Sequence, residues 1–172
     1  SVFEKLNQTR VDEIVTAAAW ALCNPKNNKY LSELGVKTTN LGNAKDKFTK
    51  NINKTIGLLR DLKKVKSTGI IRKNKKNGII EIAKPVGVIA ALTPSTNPIA
   101  TPMNNILNAL KCKNSIIISP SPSGQKVFKE LLKIINKELS KIKAPKNLVQ
   151  TFSKTVNINL AKELMKKVDL VI

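Results

Sequence analysis

The stretch Pro85 to Pro122, PVGVIAALTPSTNPIATPMNNILNALKCKNSIIISPSP, constrains the fold more than any other part of the chain. It opens on an apolar run, Val86 to Leu92, and breaks at Thr93-Pro94-Ser95-Thr96-Asn97-Pro98. Ile99, Met103, Ile106, Leu107 and Leu110 follow at spacings of three and four, the period of an amphipathic helix. A second apolar run, Ile116 to Ile118, ends at Ser119-Pro120-Ser121-Pro122. The order reads strand, polar loop, helix, strand, polar loop. In open α/β sheets, loops at the ends of buried strands are where ligands bind.

The flanking sequence extends this pattern. Residues 1–10 read as an incoming segment, with Thr9 ahead of Asp12 as a helix cap. Val11, Ile14, Val15, Ala18, Ala19 and Leu22 form one apolar stripe, which Asn24-Pro25 stops. Trp20 lies off the stripe and is expected to pack on a neighbouring element. A short helix over 30–36, a turn at Asn40-Leu41-Gly42-Asn43 and a helix over 44–62 follow, the last with Phe48, Ile52, Ile56 and Leu59 inward. Gly69-Ile70-Ile71-Arg72 and Ile79-Ile80-Glu81-Ile82 flank Asn77-Gly78, a hairpin signal.

Beyond Pro122, Ser123 is expected to cap a helix carrying Val127, Phe128, Leu131, Leu132, Ile135 and Leu139. Leu148 to Phe152 reads as a short strand. Asn157 caps a further helix with Leu160, Ala161, Leu164 and Met165 inward. From Pro85 the order is βαβαβαβ, which implies parallel pairing through right-handed crossovers. The expected class is therefore α/β: N-terminal helices (1–68), a β-hairpin (69–84), then part of a Rossmann-like parallel sheet with flanking helices (85–172). The terminal run Leu170-Val171-Ile172 reads as a strand cut short. Together with the missing initiator Met, it marks the chain as a segment of a longer protein.

Charge needs care. The 172 residues carry a net charge of +20, from 31 Lys and Arg against 11 Asp and Glu. Arginine occurs only at 10, 60 and 72. The lysines are spread from Lys5 to Lys167, mostly on polar helix faces, and aromatics are 3%, too few for a base-stacking platform. The pattern argues for a solvated lysine-rich surface and against a nucleic-acid partner, although the cluster from Lys63 to Lys76 keeps a basic binding module as the alternative class. No apolar run reaches membrane-span length, and the start lacks a signal-peptide pattern. Two cysteines offer no disulfide framework, which fits a cytoplasmic location.

Chemistry is sparse. There is no GxGxxG after Leu92 and no GxxxxGK[ST], so a standard phosphate-cradling turn is excluded. Thr93, Ser95 and Thr96 offer hydroxyls, and the backbone a contact to a ribose or nicotinamide, yet composition alone favours an ordinary βα turn. Asn97 is either an oxyanion donor or the cap of the helix starting near Ile99, and spacing does not separate these. With no His, a Cys–His or Ser–His pair is excluded. Cys23 and Cys112 lie near helix C-termini and read as inert packing residues. No metal site is expected.

The motifs PVGVIAALTPSTNP, ALKCKNSIII and SPSPSG, with VDEIVTAAAWAL, LGNAKDKFTKN and KTIGLLRDLK before them, resemble the aldehyde dehydrogenase superfamily, and most of all its CoA-acylating branch. The resemblance runs from about Thr9 to Ile172. It implies NAD or NADP bound without a GxGxxG, and coenzyme A as co-substrate. By position it implies Asn97 as the oxyanion-stabilising residue. Thr93, Pro94, Ser95 and Thr96 would lie along the nicotinamide side of the cofactor, and Ser119, Pro120, Ser121 and Pro122 beside the adenosine ribose. The non-acylating enzymes usually place Lys at the position of Ser119 and Glu at that of Pro122; Ser-Pro-Ser-Pro follows the acylating branch instead. Ser121 stands where some of that branch carry His. The resemblance also implies a small aldehyde substrate, a homo-oligomer with residues 69–84 in its platform, and a nucleophilic Cys outside this segment, which leaves the segment inactive alone.

Overall fold

Asn24 both ends one helix and begins the next. Its N–H closes α1 (Gln8–Cys23) on the Trp20 carbonyl, and its side chain accepts from the N–H groups of Lys26 and Asn27 at the start of α2 (Pro25–Thr39). Pro25 occupies the first turn of α2, where an N–H would have no helical partner. It therefore starts a helix of 15 residues, longer than the one expected over 30–36. The computed structural model describes residues 2–172; Ser1, the first residue of the expected incoming segment, lies outside them. Phe3 anchors that segment and is buried. Asn7, not Thr9, caps α1, its side chain accepting from Arg10 N at 2.9 Å. Asn caps a helix at least as well as Thr, and Thr9 is already helical. Every residue of the α1 stripe is buried. Trp20 is 50% exposed instead of packed.

α3 (Ala44–Lys63) is rotated by a polar seam rather than by its isoleucines. Buried Asn51 donates to Asn28 Oδ1 at 2.8 Å and to Ser32 Oγ at 3.2 Å, and Asn28 donates to the Phe48 carbonyl at 2.9 Å. Buried amides must be paired, so this seam fixes which face of α3 meets α2. Ile56, expected inward, is consequently exposed, while Phe48, Ile52 and Leu59 are half-buried.

β1 (Gly69–Asn74) and β2 (Ile79–Ala83) form an antiparallel ribbon with a register irregularity between Ile70 and Arg72. Gly78 turns it at φ +66°. Ile70, Ile71, Ile79, Ile80 and Ile82 are all exposed on it.

β3 (Val88–Thr93), β4 (Ser115–Pro120), β5 (Val149–Thr151) and β6 (Leu170–Val171) form a parallel sheet in the order β5-β4-β3-β6. α4 (Ala100–Lys111) and α5 (Gln125–Lys141) step outward from β3 to β5, and α6 (Ile158–Lys167) crosses back to the other side of β3. Right-handed crossovers put α4 and α5 on one face and α6 on the other. On the first face Ile89, Ala91, Ile116 and Ile118 join Met103, Leu107, Phe128 and Leu131 and the α1 stripe in one core. Met103, Ile106, Leu107 and Leu110 are fully buried, each contributing about 1.5–3 kcal/mol relative to exposure. The other face is thin: Leu164 is buried, but Met165, expected inward, is exposed, because α6 alone covers it. The cap before α5 is also shifted: Ser121 Oγ, not Ser123, accepts from Gly124 N at 3.3 Å, and a 3-10 turn, Pro122–Gly124, leads into α5.

Candidate functional site

Parallel strands end on the same side, so the register decides which loops meet. Leu92 pairs with Ser119 and Thr93 with Pro120, which sets the two polar loops side by side. Ser121 N donates to the Thr93 carbonyl at 3.0 Å and ties them together. Above them lies a cavity of about 440 Å³, lined by Leu92, Thr93, Pro94, Ser119, Pro120 and Ser121, and closed by Val156, Asn157, Ile158 and Ala161. That volume is in the range of small-molecule sites.

Of the residues singled out in the sequence, Thr93, Pro94, Ser119, Pro120 and Ser121 line this cavity. Pro122 lies outside the lining and opens the 3-10 turn. Ser95, Thr96 and Asn97 continue the turn toward α3. The helix capped by Asn157 starts where the sequence placed it, but its start was not expected at this cavity. Its signal was present in Asn157, whose side chain accepts from Leu160 N at 2.9 Å, but only the return of β6 to the far side of β3 carries that helix start over the strand ends. The first-turn N–H groups of α6 give this wall a partial positive charge. Thr93 Oγ1 is buried with no protein hydrogen-bond partner, one of three such side-chain atoms among the described residues. A buried hydroxyl in that state is suited to a polar ligand.

Asn97 is not the cap of α4. The cap position is Ile99, and no side chain bonds there. Instead Lys50 of α3 donates to Asn97 Oδ1, which turns the amide so that its carbonyl is engaged and its N–H donors are not. Lys47, one turn earlier, places its ammonium 3.5 Å from the Thr96 carbonyl. Burial, and then the neighbouring Lys50 charge, push the Lys47 ammonium below its ordinary value.

Neither cysteine reaches this place. Cys23 ends α1 half-buried, and burial pushes its thiol up. Cys112 follows α4 at the amino-terminal edge of the sheet and is exposed, contrary to the packing role expected of it. A larger apolar groove of about 1140 Å³ runs past Trp20, Ile56 and Leu59 to Lys111. Neither cysteine lines it and no loop pair at strand ends meets there, so the chemistry is assigned to the smaller cavity. Among the described residues no group of three or more His, Cys, Asp or Glu is set to hold a metal, and no helix is long and apolar enough to cross a membrane.

Fold and loop pair together define an open parallel α/β domain of Rossmann-like class without a glycine-rich turn. Residues 3–170 match the aldehyde dehydrogenase family, and the chain belongs to it. It is 49% identical over 170 residues to a sulfoacetaldehyde dehydrogenase (acylating) of Cupriavidus necator, covering 99% of this chain and 34% of that protein. An acetylating aldehyde dehydrogenase from Geobacillus thermoglucosidasius superposes with TM-score 0.92 at 34% identity, over 99% of this chain and 37% of that one. A propionaldehyde dehydrogenase of Rhodopseudomonas palustris with bound CoA and an acylated cysteine superposes with TM-score 0.82 at 27% identity, over 98% of this chain and 38% of that one. The chain thus spans about a third of the length of the curated relatives it matches.

Proposed function

We propose that this chain supplies the first part of the active site of an NAD(P)-dependent, CoA-acylating aldehyde dehydrogenase. The observation that carries the reading is the joined loop pair at the strand ends, with the Asn97 amide held beside it by Lys50. The cavity fits a dinucleotide's polar parts: the orphan Thr93 hydroxyl, the Ser119 and Ser121 side chains and the α6 start line it. When bound there, NAD(P)+ supplies the hydride acceptor. Whether it is NAD or NADP depends on the ribose side, where Ser119 to Pro122 stand.

The work of this chain's own residues follows from their placement. Asn97 is neutral and donates N–H, so it stabilises the oxyanion that forms when a thiolate adds to an aldehyde carbonyl. The thiolate comes from outside the chain, since Cys23 and Cys112 both lie away from the cavity. Coenzyme A then receives the acyl group from the thioester. The apolar, exposed β1–β2 ribbon is the surface we assign to a homo-oligomer platform, and the cytoplasm is the compartment we assign, on two free cysteines.

The test is an assay of the intact protein that carries this segment, with small aldehydes, NAD+ or NADP+, with and without CoA. Acyl-CoA formation that requires CoA is expected. Release of free acid without CoA would move the protein to the hydrolytic enzymes, and absence of any NAD(P)-linked oxidation would overturn the reading.

A further inference from the structure

Two lysines converge on the turn that carries Asn97. Lys47 and Lys50 stand three residues apart on α3 and so leave the same helix face. Asn51, beside them, is held in the buried seam with Asn28 and Ser32, which fixes that face toward the turn. The Lys47 stem runs along two glycines. A Cβ at Gly35 would lie 3.7 Å from Lys47 Cδ, and one at Gly42 would lie 3.8 Å from Cε and 3.9 Å from Nζ. The ammonium ends 3.5 Å from the Thr96 carbonyl, while Lys50 donates to Asn97 Oδ1.

Neither ammonium has a carboxylate within 4.0 Å among the described residues. Other lysines of this chain, such as Lys133, Lys141 and Lys166, pair with a glutamate three residues away. Two like charges held together without a counter-ion oppose folding, and an anion brought between them removes that cost. Each ammonium has three donors, of which Lys50 gives one to Asn97 and Lys47 one to Thr96. Donors therefore remain on both, next to the amide that would face the aldehyde oxygen.

We propose that Lys47 and Lys50 form an anion subsite that selects aldehydes bearing a sulfonate or carboxylate close to the carbonyl carbon. The assignment rests on the aldehyde-oxidising reading given above. It makes the substrate's charged tail, rather than the phosphates of CoA, the partner of these two lysines. An anionic group a bond or two from the carbonyl carbon stays near Asn97 by covalent geometry, so the same turn fixes both ends of a short substrate.

The experiment compares kcat/KM of the intact protein for sulfoacetaldehyde and for propionaldehyde, in wild type, K47M and K47R. In K47M the ratio of the anionic to the neutral substrate is expected to fall at least about tenfold, through KM, with K47R restoring most of it. Raised salt should lower the same ratio in wild type. Propionaldehyde turnover by each variant reports that it is folded. An equal loss on both aldehydes overturns the subsite. A rise in the KM for CoA that is the same with either aldehyde also overturns it and assigns the lysines to CoA phosphate. No oxidation of any aldehyde by wild type overturns the enzyme reading itself, and the subsite with it.

Discussion

Lys111 Nζ lies 2.5 Å from Asp12 Oδ1, joining the end of α4 to the start of α1. The lysine side chain is 2% exposed and the aspartate 40%. Gln8 extends the contact: its Nε2 donates to the same Asp12 oxygen at 3.0 Å, and its Oε1 accepts from Ser67 N at 2.8 Å. Asp12 therefore joins α1 to α4, and Gln8 links it onward to the approach to the hairpin. Removing one partner of a buried pair strands the other charge, whereas replacing the cation by an apolar chain of similar length strands nothing buried. Asp12→Ala should lower stability by roughly 2–3 kcal/mol, at the low end for such pairs because Asp12 reaches solvent. Lys111→Met should stay within about 1 kcal/mol of wild type. Urea unfolding of the two variants checks the asymmetry; equal losses would show that the pair contributes through charge alone.

Gly87 sits at φ +133°, and a Cβ there would fall 2.2 Å from Asp169 Oδ2. That oxygen accepts from Val88 N at 2.7 Å, and Asp169 N donates to the Val88 carbonyl at 2.9 Å. The close approach lets β6 enter beside β3. Gly87→Ala combines a strained backbone with a clash against a hydrogen-bonded carboxylate, and should cost about 2–4 kcal/mol. Hydrogen exchange should show the loss first at Ile89 to Leu92 and at Ile172, where β3 and β6 share backbone bonds. Wild-type protection at those amides in the variant would refute the account.

The periodic parts of the fold were legible because local sequence and tertiary packing agree there. The α1 and α4 stripes follow from apolar spacing and are buried as read, and the strands from Pro85 onward pair in parallel as their alternation with helices implies. The failures have separate causes. α3 is oriented by Asn28, Ser32 and Asn51, and polar residues in a helix read as solvent-facing until their partners are known. Met165 fails for the opposite reason: its stripe is apolar, but the face it would cover is bare in this chain. At the site, resemblance pointed to two loops, of which Thr93, Pro94, Ser119, Pro120 and Ser121 line the cavity. The contribution of α6 and the contacts of Lys47 and Lys50 depend on which strands are neighbours, which no local pattern carries.

The two cysteines should separate cleanly in a thiol titration. Cys112 is exposed, while Cys23 is half-buried and its thiol is pushed above the ordinary value of 9.0 by burial. The thiolate is the reactive form, so Cys23 should be slow both by access and by ionisation. One thiol per chain should react with an aromatic disulfide reagent rapidly at pH 8, and Cys112→Ser should abolish that fast phase. The linkage has a sign. A folded value above the unfolded one means the neutral thiol favours the fold, a contribution present below pH 9.0 and lost as pH rises through the folded value. Alkaline loss of stability should therefore be smaller in Cys23→Ala than in wild type, measured relative to each protein's stability at pH 7.

Asn97 gives the sharpest test of the proposed chemistry. Its carbonyl is taken by Lys50, it does not cap α4, and its N–H donors face no acceptor among the described residues. An amide held this way presents its donors to an acceptor that comes to it. In the intact enzyme, Asn97→Ala should lower kcat for aldehyde oxidation by about 10²–10³, the usual loss for one oxyanion donor, with a smaller change in KM. Asn97→Asp separates this role from a structural one. The carboxylate keeps the size and can still accept from Lys50, so the turn should hold and the melting temperature should stay near wild type. It cannot donate and it repels an oxyanion, so kcat should fall at least as far as in the alanine variant. Activity of Asn97→Asp within about tenfold of wild type would remove Asn97 from the chemistry and leave it as a residue that anchors α3 to the turn.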